Sequence, residues 1–203
     1  MGFCSLSSRS RQVAQPVRWP GGVLACVTIL AWLPAVLWFG ETLPCRAAEE
    51  QTLEHQVKAA FLLNFTKFVE WPEAAFSDEH GPIAICVLGE DPFGAALDQI
   101  VEGEEVGGRK VVVRRMKEAP AAKQCQVLFL SAGIKDVPQI LSGLSLGVLT
   151  VGEERDGFLR EGGVISFVIE NRHVRFDINQ SAAENAGLKL SSRLLRVARS
   201  VEK

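Results

Sequence analysis

The sequence has few of the side chains that catalysis and metal binding use. Its three histidines, His55, His80 and His173, stand apart from Cys, Asp and Glu at ligand spacings, and no His-x-x-x-His occurs, so no metal site is expected. No Gly-x-Ser-x-Gly elbow is present to mark a serine nucleophile. The turn Gly89-Glu90-Asp91-Pro92-Phe93-Gly94 lacks the Lys-Ser/Thr pair of a phosphate loop and the spacing of a dinucleotide fingerprint, and its two acids would repel phosphate. Asp91 before Pro92 reads instead as a helix N-cap with proline at the first helical position. These absences predict a chain that is not an enzyme and holds no cofactor.

Basic charge is also scarce where a nucleic-acid partner would need it. The whole chain has 22 basic and 24 acidic residues, with no basic run interleaved with aromatics, which argues against nucleic acid. Residues 1–22 carry Arg9, Arg11 and Arg18 without an acid, and Val23 to Phe39 is a largely apolar run with a break at Pro34. A basic stretch followed by an apolar one reads as an export signal, with small residues for cleavage after Ala47 or Ala48. The competing reading is a retained anchor, since about 17 apolar residues lie at the short limit for spanning a bilayer. Cleavage divides the chain into a signal at 1–48 and one exported domain at 49–203. That domain keeps 18 basic residues against 23 acidic ones.

Of five cysteines, Cys4, Cys26 and Cys45 lie in the signal region, leaving Cys86 and Cys125. An even pair in an exported chain reads as one disulfide, and two buried free thiols are the alternative. Closing a loop of this length contributes about 4 kcal/mol by chain-entropy arithmetic.

What the sequence does have is alternation of helix and strand. Val57, Ala60, Phe61, Phe65, Phe68 and Val69 recur at helical spacing, with Lys58, Asn64, Lys67 and Glu70 mostly opposite, and Pro72 ends the helix. Ile83–Leu88, Lys110–Met116, Cys125–Ser131 and Val148–Val151 read as strands, with helices at 93–101 and 138–144. Ile165, Phe167 and Ile169 alternate against Val174, Phe176 and Ile178 across Asn171-Arg172, the pattern of an antiparallel hairpin. The hairpin is placed at one edge of the sheet, and a last helix over 181–201, interrupted near Gly187, carries a basic stripe of Arg193, Arg196 and Arg199. Trp71, Phe68 and Phe76 read as core packing. The class is α/β, a single compact domain with a mixed, mostly parallel sheet flanked by helices.

Several of these stretches resemble one family. The string AAFLLNFTKFVEWP at 59–72, CVLGEDPFG at 86–94, the cysteine-led strand from Cys125 to Ser131, LTVG at 149–152, Gly162-Gly163, RFDIN at 175–179 and AGLKLSSRLL at 186–195 stand in the order seen in YfiR-like exported regulators. The resemblance covers essentially the whole exported part. It implies a periplasmic inhibitor that holds an inner-membrane diguanylate cyclase inactive through its sensor region, lowering cyclic di-GMP and biofilm formation. It also implies a disulfide at the spacing of Cys86 and Cys125, and a homodimer. The second pair of cysteines carried by some relatives is absent.

A reading from another class is a small-ligand-binding periplasmic protein that feeds a histidine kinase or transporter. Its site is expected at the carboxyl ends of the parallel strands, around Gly89, Asp91, Phe93 and Ser131.

Overall fold

The computed structural model describes residues 43–203 apart from 79, 119–121, 123 and 154–156. The signal expected at 1–48 lies mostly outside the described residues. The first helix, α1 (Leu43–Phe68), begins well before Val57 and runs through the expected cleavage point. It ends in a two-residue strand, β1 (Val69–Glu70), ahead of Pro72. Ala59, Leu62, Leu63 and Phe65 are its buried apolar residues, while Phe61 and Phe68 are partly covered. The buried stripe is thus shifted relative to the expected face, and Lys58, placed on the polar side by spacing, is almost completely buried.

The sheet is assembled from β2 (Ile83–Leu88), β3 (Glu105–Val106), β4 (Arg109–Met116), β5 (Val127–Leu130), β6 (Leu149–Gly152), β7 (Ile165–Glu170), β8 (His173–Asn179) and β10 (Ser200–Glu202). Its spatial order is β10-β8-β7-β6-β5-β2-β4-β3. The five strands β4, β2, β5, β6 and β7 are mutually parallel. Numbered along the chain these five lie in the order 2-1-3-4-5, that of a doubly wound sheet. Every residue of β2 and β5 is buried, as a strand covered on both faces requires.

Alternation along these strands sorts the core into two layers. Ile85, Val87, Val127 and Phe129 face α1 and the short helix α2 (Ala95–Val101). Cys86, Leu88, Leu128 and Leu130 face the other layer, which includes Val137 and Ile140 of α3 (Val137–Ser142). Phe61 and Phe65 meet Phe176 edge-on, with centroids 5.3 and 5.2 Å apart, which binds the first helix to the hairpin. That hairpin is antiparallel, pairing Ile165 with Ile178 through Glu170 with His173. Asn171 and Arg172 turn it with φ of 50° and 62°, the left-handed pair that a two-residue turn demands.

Three expectations change. The hairpin is not the sheet edge, because β10 adds parallel to β8 outside it. The last helix is instead α4 (Gln180–Asn185), β9 (Lys189–Leu190), α5 (Ser192–Val197) and β10. Gly187, at φ +74°, ends α4 and lets Leu188 enter the core. Ser191 Oγ then accepts from the Leu194 amide and starts α5, while β9 pairs back onto β1. The basic stripe is therefore broken: Arg199 lies beyond α5 and forks onto both carboxylate oxygens of Asp177.

Candidate functional site

Four residues were expected at the carboxyl ends of the parallel strands, and the fold brings them near the point where the connections reverse, between β2 and β5. Gly89 and Ser131 follow those two strands directly. Gly89 has φ +96°, and a Cβ there would lie 2.7 Å from Ser131 Oγ and 2.8 Å from Ile134 Cδ1. The two chain segments therefore pack against each other, and glycine is what permits the approach. Phe93 is buried and meets Phe129 edge-on at 4.8 Å.

Asp91 is not the N-cap of α2, which is Gly94. Its Oδ1 accepts from the Phe93 amide at 2.8 Å, an Asx turn inserted ahead of the helix. Its Oδ2 accepts from Arg115 Nε at 2.6 Å. Arg115 also donates to both oxygens of Asp98 and to the Gly94 carbonyl. The hydrogen bonds from Arg115 hold the Asp98 carboxyl below the usual range. The guanidinium thus pins this turn to the sheet, and Asp91 has both carboxylate oxygens engaged.

Next to these residues is a charge cluster that spacing did not reveal. Lys58 Nζ lies 2.5 Å from Glu54 Oε1 and 3.1 Å from Glu153 Oε1, with Glu153 Oε2 accepting from the Ala132 amide. A buried ammonium is tolerated when opposite charges are in contact. The only available sequence signal was Glu54 four residues before Lys58; Glu153 is 95 positions away.

Two of the open concavities among the described residues lie elsewhere on the surface. One, of about 680 Å³, runs between α1 and the hairpin and is lined by Leu53, Val57, Phe61, Ile169, Arg172 and Val174 among others. Leu53 is 61% exposed there, a large apolar side chain over an apolar wall. The other, of about 600 Å³, is bounded by α3, α4 and the segment 159–162, with Thr150 and Val164 in its wall. Among the described residues no group of three or more His, Cys, Asp or Glu could hold a metal.

Cys86 and Cys125 are joined, with Cα atoms 5.9 Å apart, and are buried among the residues facing α3. The model of the YfiR/HmsC-like family matches residues 55–199. The chain belongs to this family. Members of this family are periplasmic regulators of cyclic di-GMP signalling. Two solved structures are similar over part of the chain. A conserved domain protein from Vibrio cholerae O1 biovar El Tor has 12% identity and a TM-score of 0.41, covering 59% of this chain and 54% of that one. The ABC domain from Streptococcus pneumoniae, in complex with L-Trp, has 13% identity and a TM-score of 0.39, covering 59% and 55%. The chain therefore spans about half the length of these two. No curated protein matches the chain.

Proposed function

We propose that this protein, exported to the periplasm with residues 1–48 removed, restrains an inner-membrane diguanylate cyclase by binding its sensor region. The observation that carries this reading is the family match over residues 55–199. Restraint of this kind needs no chemistry. It needs a surface that binds the inactive sensor a few kcal/mol more tightly than the active one, because equal affinity for both states shifts nothing.

The groove between α1 and the hairpin is suited to that role. Leu53, Val57, Phe61, Ile169 and Val174 supply apolar wall, with Arg172 and His173 at its rim. An apolar centre with a polar border is the anatomy of a protein–protein interface. A homodimer would present two such grooves to a two-fold cyclase.

The test is co-purification from membranes of the host, with the retained proteins identified by mass spectrometry. Recovery of a cyclase with a periplasmic sensor, lost on Leu53→Asp with an unchanged melting temperature, is the expected result. Recovery of a histidine kinase, or of no membrane protein, would overturn it. The 600 Å³ cleft beside α3 and α4 favours a second reading, a small-ligand sensor; a ligand-dependent rise in melting temperature would support it.

A further inference from the structure

On the far side of the sheet from the groove, β4 is exposed along most of one edge. Its inner side pairs with β2 from Val111 to Met116. Its outer side pairs with β3 only at Arg109 and Lys110, and the amide of Val111 donates to Glu104. Beyond that point no described strand lies against it. Backbone groups alternate between the two sides of a strand. Met116 faces inward, since its carbonyl accepts from Gly89, and Val111 faces outward, so Val113 and Arg115 present their N–H and C=O groups to the open side.

The open stretch of this edge carries unpaired positive charge. Arg109, Lys110, Arg114, Arg115 and Lys117 fall within nine positions; Arg115 is taken up by Asp91 and Asp98 and Lys110 stands opposite Glu105 of β3, which leaves the exposed Arg114 and Lys117 beside the open stretch. Such an edge is unsuited to a second copy of itself: pairing β4 with β4 would bring these cations together across a two-fold axis, and like charges on adjacent strands oppose pairing. It is suited to a strand of opposite charge.

We propose that the outer edge of β4 is a docking edge that accepts an extended acidic segment of a partner protein by strand addition. Main-chain hydrogen bonds to Val113 and Arg115 supply the register, and Arg114 and Lys117 select for acids. This surface does not depend on the partner being a cyclase, nor on the groove at the opposite side of the sheet.

The test uses the protein expressed with its leader, purified after export and isotope-labelled. The probe is a blocked hexapeptide alternating glutamate with valine and threonine. Saturable shifts at Val113 and Arg115, with at least ten-fold slower amide exchange at both, are expected. A peptide with lysine in place of glutamate should not bind, and N-methylation of alternate peptide amides should abolish binding. The double substitution Arg114→Glu with Lys117→Glu, both at exposed positions, should weaken affinity at least ten-fold, and added salt should weaken it in the unsubstituted protein. Equal binding of the acidic and lysine peptides, or no protection at either amide, would overturn the proposal and leave the basic residues as guards against self-pairing. Concentration-dependent protection of the same amides without peptide would overturn it in favour of a second copy.

Discussion

Lys58 on the first helix reaches Glu153 at the end of β6, with Nζ 3.1 Å from Oε1, and so joins the start of the folded chain to the carboxyl edge of the sheet. Removing the ammonium leaves two carboxylates facing each other, one of them fixed by the Ala132 amide. Lys58→Ala should therefore cost about 2 kcal/mol, below the range for a fully buried pair because both acids keep some solvent contact. Lys58→Met, which keeps the packed stem, should cost less. Urea denaturation measures both, and an alanine variant as stable as the parent would refute a stabilising role for the cluster.

The Cys86–Cys125 bridge closes a separation of 39 positions, with both residues buried. Replacing both by alanine should lower stability by about 4 kcal/mol. In the folded protein, dithiothreitol should leave the bridge intact until denaturant is added, since buried sulfurs are shielded from attack. Mass spectrometry after alkylation reads this directly; rapid reduction without denaturant would favour a redox switch over a permanent staple.

The Phe158 ring sits between two glycines that flank it in the chain, Gly152 and Gly163. A Cβ on Gly152 would lie 2.7 Å from the Phe158 ring, and one on Gly163 would come closer still. Gly163→Ala should destabilise by about 1–3 kcal/mol through overpacking. Adding Phe158→Leu should recover part of that loss, so the double variant should be more stable than the two single losses sum to. Strict additivity in thermal melts would remove the steric explanation.

Asp177 is mostly buried, and burial pushes its carboxyl up; hydrogen bonds from Arg199 and Ser200, with the charge of Arg199, outweigh this and hold it below its ordinary value of 3.8. A carboxyl depressed in the folded state adds stability above its unfolded value and loses it as pH falls through the folded value. The contribution should thus be complete near neutrality and fade below about pH 4. Arg199→Ala should be destabilised most near neutral pH, with the gap to the parent narrowing in acid. A pH-independent gap in urea midpoints would show that Arg199 acts through packing alone.

Much of this protein follows from the amino-acid pattern alone. The unbroken apolar run at Ile83–Leu88 marks a strand covered on both faces, and Cys125–Ser131 marks a second buried strand, because each is too short for a buried helix. The Asn171-Arg172 turn between alternating runs specifies the hairpin, since the register follows from a two-residue loop. Two cysteines outside a segment that reads as an export signal indicate one bridge, and linear motifs identify the family because they are read in sequence order. Other features were settled only in three dimensions. Helical spacing placed Lys58 on the polar side of α1; its burial depends on Glu153, which comes near only when the sheet forms. The break-up of the last helix depends on Leu188 finding a place in the core and on β9 and β10 finding strands to pair with. Asp91 has the local signature of a cap, but Arg115 from a neighbouring strand draws it into a turn. The same limit applies to the groove and to the open edge of β4. Periodicity reports which side of an element is apolar, whereas the partners of its charges and the neighbours it lacks are properties of the assembled sheet.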